Sequence, residues 1–160
     1  MFCCDDPALK DAVIRGMCMK FRVSAVQYHL HTIQRFEDFA GQVEHYVKTA
    51  AEFAADFVLF PEFFTTQLMS MGNDRGEPLS IQDLPDFTEQ YRSLFTDLAK
   101  QTGMHIIAGT HVIRKGDKLY NVAHLFYPDG SVAEQPKLHI TPTEVKEWNM
   151  SPGDRLQVFE

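Results

Sequence analysis

Apolar residues recur at every third and fourth position between Phe36 and Ala54: Phe36, Phe39, Ala40, Val43, Val47, Ala50 and Ala54. Glu37, Glu44, Lys48 and Glu52 occupy the remaining surface. This spacing predicts a helix with one buried stripe. A second stripe, Phe87, Tyr91, Leu94, Phe95 and Leu98, predicts a helix from about Pro85 to Thr102. Pro85 suits its first turn, Lys100 its last, and Gly103 its C-terminal cap. Elsewhere the period shortens. "FRVSAVQYH" (21–29) is β-branched and apolar, and reads as a buried strand. "DFVLF" (56–60) is a continuous apolar run, as expected of a strand covered on both faces. "MHIIAGTHVI" (104–113), "LYNVAHLFY" (119–127) and "SVAEQPKLH" (131–139) predict three more strands, with turns at "RKGDK" and "PDG" between them. "LQVFE" (156–160) reads as the beginning of a further strand.

The order is β-α-β-α-β-β-β, then an irregular stretch, then β. Crossovers followed by hairpins imply an α/β layered fold with a mixed sheet. Residues 1–20 lack periodicity and are expected to be a leader or linker, with the domain spanning 21–160. Because the pattern stops within a strand, the chain is expected to be a fragment of a longer domain.

Composition narrows the partners. At 160 residues, with 13 Phe and 44% hydrophobic residues, the chain can build one substantial core. A net charge of −7 and a pI near 5.4 argue against binding nucleic acid, whose backbone demands basic stripes. No apolar run reaches the ~18 residues of a membrane span. "MFCCDDPALK" has acids where a signal peptide carries bases, so a cytoplasmic location is expected. Cys3, Cys4 and Cys18 offer neither a disulfide framework nor zinc-ligand spacing, and the seven histidines show no converging set. Neither early strand is followed by a glycine-rich phosphate loop, so a nucleotide-binding domain is disfavoured. No metal and no cofactor is expected.

The candidate chemistry lies at the strand ends. Glu62 follows "FVLFP" and precedes Phe63 and Phe64, just past the carboxyl end of a predicted parallel strand. Active sites of open α/β sheets form at that edge. Flanking Phe60, Phe63 and Phe64 are expected to desolvate the carboxylate and raise its pKa toward a general base's range. The alternative is a loop acid that reaches water or accepts backbone N–H bonds. Lys137, in "EQPKLHITPTE", ends another strand, so an acid and a lysine can meet over one sheet edge. Taken alone, Lys137 reads as a solvated strand-end lysine.

"FRVSAVQYH", "ADFVLFPEFF" and "YNVAHLFYPDGSVAEQPKLH" together resemble the nitrilase, or carbon–nitrogen hydrolase, superfamily. The likeness covers residues 21–160, as the N-terminal half of that catalytic domain. It implies half of an α-β-β-α sandwich and a Glu-Lys-Cys triad hydrolysing a small amide, carbamoyl or nitrile substrate. By motif, Glu62 is the general base, Lys137 the oxyanion-holding cation, and Glu144 a further structural or catalytic acid, with Glu147 behind it. Phe63 is a candidate substrate-pocket residue, and core packing is its alternative. His139 matches a family position with a packing or hydrogen-bonding role. None of the three cysteines matches the family's nucleophile, so this chain alone is expected to be inactive. The resemblance also implies oligomers, and "VSAVQYHLHTIQRFEDFA" is similar to the subgroup with an acetyltransferase-like domain upstream. The alternative is a non-catalytic assembly domain retaining the fold.

Overall fold

In the computed structural model, which describes residues 20–73 and 76–159, the two amphipathic stripes form helices on one face of a five-stranded sheet. In chain order the elements are β1 (Val23–Ala25), α1 (Phe36–Glu52), β2 (Phe57–Leu59), α2 (Thr88–Thr102), β3 (His105–Lys115), β4 (Lys118–Phe126), β5 (Val132–Pro136) and α3 (Pro142–Lys146). Among the described residues, the 3-10 helices Phe64–Ser70 and Leu84–Phe87 lie between β2 and α2. Strand order follows chain order: β1, β2 and β3 run parallel, then β3, β4 and β5 antiparallel. The mixed α/β sheet is thus as expected. Residues 1–19 of the expected leader or linker (1–20), with Cys3, Cys4 and Cys18, lie outside the described residues.

The core forms where the stripes meet the sheet. Phe39, Val43, Val47 and Ala50 of α1 and Tyr91, Phe95 and Leu98 of α2 pack on Val58, Ile106 and Val112. Pro85 sits in the 3-10 turn leading into α2, and Gly103 ends that helix at φ 69°, a conformation that favours glycine. Among the described residues, no helix is long and apolar enough to cross a membrane.

Three expectations are corrected. The first strand is neither long nor buried: β1 spans three residues, and Val23 is 57% exposed. After Val26 donates to the Leu59 carbonyl, the chain leaves the ladder, and Tyr28 turns onto Phe39, Phe60 and Phe64. Nor is β2 covered on both faces. Val58 faces the helices, while Leu59 and Phe57 look toward the other side, which the described residues leave open. Burial of a continuous apolar run depends on what lies across both faces, which local sequence does not carry. Finally, residues 156–159 form no strand. Gln157 N–H donates to the Gln135 side chain (2.9 Å), but no backbone ladder builds there.

Within β3 the pairing to β4 slips between Ile107 and Thr110, a bulge. Gly109 lies there at φ 53°, and the Tyr91 hydroxyl donates to the Ala108 carbonyl (2.8 Å). A Cβ on Gly109 would stand 2.0 Å from the Pro61 carbonyl oxygen. The bulge therefore lets the loop after β2 lie directly on β3, and that loop carries Glu62.

Candidate active site

Three chain segments converge past the end of β2. Pro61, Glu62 and Phe63 follow β2, Lys137 follows β5, and Glu144 lies in the first turn of α3. The loop is pinned from β3: Phe63 N–H donates to the Thr110 hydroxyl (2.9 Å). Phe63 adopts a left-handed conformation (φ 57°), uncommon for a bulky side chain and held there by its neighbours. Lys137 is placed by its own backbone, whose N–H donates to the Asn121 carbonyl (2.8 Å), extending the β4–β5 ladder by one bond. Glu144 is placed by a capping box. Thr141 N–H donates to Glu144 Oε2 (2.6 Å), and Glu144 N–H donates to Thr141 Oγ1 (3.3 Å). Pro142 suits the first helical position.

The side chains then meet. Lys137 Nζ donates to Glu62 Oε1 at 3.0 Å and to both Glu144 oxygens at 3.1 and 3.0 Å. Asn121, buried on β4, donates from Nδ2 to Glu62 Oε1 (2.8 Å) and Glu144 Oε1 (3.3 Å). Burial opposes charge on Lys137, but its bonds to Glu62 and Glu144 outweigh that and hold the ammonium above its ordinary value. Burial likewise pushes the Glu144 carboxyl up. The Thr141 N–H, Lys137 and Asn121 overcome it and hold the carboxyl below its ordinary value. Lys137 is therefore a fixed cation between two carboxylates.

Glu62, Lys137 and Glu144, singled out from sequence, are thus brought together. Glu147 is exposed and takes no part. The expected apolar jacket around Glu62 is absent: Phe60 and Phe64 point into the core, and the Glu62 side chain is 50% exposed. Phe63 is half-buried, with its ring edge-on to Trp148 (5.4 Å) and 5.9 Å from Lys137 Nζ. It borders the lysine as well as packing. His139 is exposed and forms no hydrogen bond among the described residues. The sequence reading missed Asn121, Gly109 and Thr110. "T-P-T-E" did carry one usable signal, since T-x-x-E is the capping-box pattern that orients Glu144.

Residues 22–160 match the family described as carbon-nitrogen hydrolase. The chain belongs to the carbon–nitrogen hydrolase family. This places it in the nitrilase superfamily. Over 139 residues, 87% of the chain, it is 48% identical to a probable hydrolase, YhcX, of Bacillus subtilis. It is 28% identical over 153 residues to the omega-amidase NIT2 of Danio rerio, with 88% of the chain covered. A carbon–nitrogen hydrolase structure from Helicobacter pylori superposes on 84% of the chain with a TM-score of 0.65 at 18% identity, a likeness of fold. The chain spans 27% of the length of the Bacillus relative, 50% of the omega-amidase and 45% of the Helicobacter chain.

Proposed function

We propose that this chain contributes the glutamate and lysine of a thiol amidohydrolase acting on a small amide, carbamoyl or nitrile carbon. The observation that carries the reading is Lys137, bonded to the half-exposed Glu62 and anchored from behind by the buried Glu144. In this reading the thiol comes from a segment outside these 160 residues, in keeping with the share of its relatives that the chain spans. The thiol sulfur attacks the amide carbon while Glu62 takes its proton. Lys137 faces the oxygen on which negative charge develops. Glu62 returns the proton to the departing amine, leaving a thioester. Water then attacks the thioester, losing a proton to Glu62, and the acid product leaves as the thiol regains its proton.

The open sheet face fits the same proposal. Phe21, Val23 and Leu59 lie exposed, and Phe57 stacks on His105 (4.8 Å) beside them. A second sheet packed there would complete an α-β-β-α sandwich. The same apolar face favours a second reading, a domain that assembles with copies of itself. Sedimentation of the purified chain separates that reading, because a folded monomer removes its support.

The direct test is ammonia release by the full-length protein from a panel of small amides and nitriles. Turnover abolished by iodoacetamide is expected. Absence of ammonia from every substrate, or turnover indifferent to thiol alkylation, contradicts the proposal.

A further inference from the structure

Asn121 holds a place that a simpler residue would fill more cheaply. It is 1% exposed, in the interior of the sheet between β3 and β5, opposite Val112. Its Oδ1 is buried and has no hydrogen-bond partner among the described residues. A buried carbonyl left unpaired is destabilising, and such groups in a native core call for a reason. Exchanging the amide's two ends gives no relief, because Oδ1 would then stand within hydrogen-bond distance of two carboxylate oxygens. Nδ2 must face them.

What Nδ2 reaches is the reason. It meets Oε1 of Glu62 and Oε1 of Glu144, two atoms that Lys137 Nζ also holds. Two carboxylates and two donors thus form a closed ring. The Asn121 main chain contributes as well, since its carbonyl accepts the Lys137 N–H. One residue on the middle of a strand therefore bonds to all three charged residues at once. A cation at this position would neutralise the acids, whereas a neutral amide orients them and adds no charge. With Oε1 of Glu62 taken twice, Oε2 has no donor among the described residues.

We infer that Asn121 is a positioning residue that bridges Glu62 to Glu144 through one oxygen of each and so presents Glu62 Oε2 to the proton it must take. This rests on the hydrolase reading above.

Asn121→Leu tests it. Leucine nearly matches asparagine in shape, removes the unpaired oxygen and, with it, the two hydrogen bonds that Nδ2 donates. In the full-length protein, kcat is expected to fall about 10- to 100-fold, as for a misplaced catalytic group. KM should stay within about twofold, because ground-state binding is untouched. A merely structural Asn121 would leave the kcat of the folded protein intact while changing its stability, and an unchanged kcat overturns the inference. A second measurement needs no change at Asn121. The Asn121 side-chain amide signals in the ¹⁵N NMR spectrum should move as Glu144 titrates, and should shift again in Glu62→Gln. Amide signals indifferent to both carboxylates overturn the bridge even if Asn121→Leu fails to fold. If the bridge is seen but the unsubstituted full-length protein releases no ammonia, the hydrolase reading falls, and the catalytic purpose of the bridge falls with it.

Discussion

Two regions of this molecule set a glutamate among cations, and they do so in opposite ways. At the sheet end, Glu62 gives one oxygen to Lys137 and Asn121, has no donor to the other among the described residues and is 50% exposed. Across the sheet, Glu134 of β5 accepts from Arg92 at one oxygen and from Lys115 at the other (3.3 Å), with His124 Nε2 3.6 Å away. His124 and His111 are buried, and Tyr91 stacks on His111 at 4.6 Å. Among the described residues, Arg92 Nε, His111 Nδ1 and His124 Nε2 lie buried without a hydrogen bond. The residue types overlap, yet only the first region combines access to solvent with a spare acceptor. A carboxylate bonded at both oxygens ties α2 to the sheet. One with an oxygen unspent can exchange a proton.

The largest separation between the regions should come from Lys137→Ala. It removes the cation from the proposed chemistry and leaves Glu144, 1% exposed, beside Glu62 with no counter-charge. Ammonia release is expected to vanish, and urea unfolding should show a loss of about 1–3 kcal/mol for the stranded buried charge. Arg92→Ala in the other region should lower stability without abolishing turnover.

Gly109→Ala comes next. A methyl group 2.0 Å from the Pro61 carbonyl cannot fit unless the loop carrying Glu62 moves. The cost should exceed about 1 kcal/mol, because alanine meets both a positive φ and the clash. Gly116→Ala is the control, at φ 60° with open space around it, so it meets backbone strain alone. Thermal unfolding of the pair isolates the clash, and turnover should fall only in Gly109→Ala.

The last effect is pH dependence, and it belongs to the Glu134 region. Glu134 is lowered from 4.5 to about 2, first by its neighbour His124, then by Arg92 and Lys115, against the opposing effect of burial. Its charged form is favoured by the fold, so this stabilisation is complete above pH 4.5 and lost as pH falls through about 2. His111 is lowered from 6.5 to about 3 by burial, then by His124 and Arg92. The fold favours its neutral ring, so that stabilisation is complete above pH 6.5 and lost on descending toward 3. Both slopes have the same sign, and stability should decline from pH 6.5 downward. Unfolding free energies for Glu134→Gln should lose the steeper part below pH 4.5 and retain the shallower part above it.

The helices were legible because 3.6-residue periodicity needs only local sequence, and Phe39, Val43, Val47 and Tyr91, Phe95, Leu98 face the core as that periodicity demands. Glu62 and Lys137 were legible as strand-end residues, and the family resemblance joined them. Asn121 was not, because its role exists only once the β4–β5 register puts it between two carboxylates. The bulge at Gly109 was equally hidden, since its purpose is the approach of Pro61 from another segment. The jacket expected around Glu62 failed for a related reason. Neighbours in sequence leave a loop in different directions, and Phe60 and Phe64 turned inward.

The central claim is that Glu62 does chemistry where Glu134 holds structure. Glu62→Gln and Glu134→Gln, made side by side in the full-length protein, test it through ammonia release and thermal midpoint on the same samples. Glu62→Gln should lose activity by about 10²–10⁴-fold, the usual worth of a general base, with its midpoint little changed. Glu134→Gln should lower the midpoint while each folded molecule keeps its rate. An active but unstable Glu62→Gln would contradict the account.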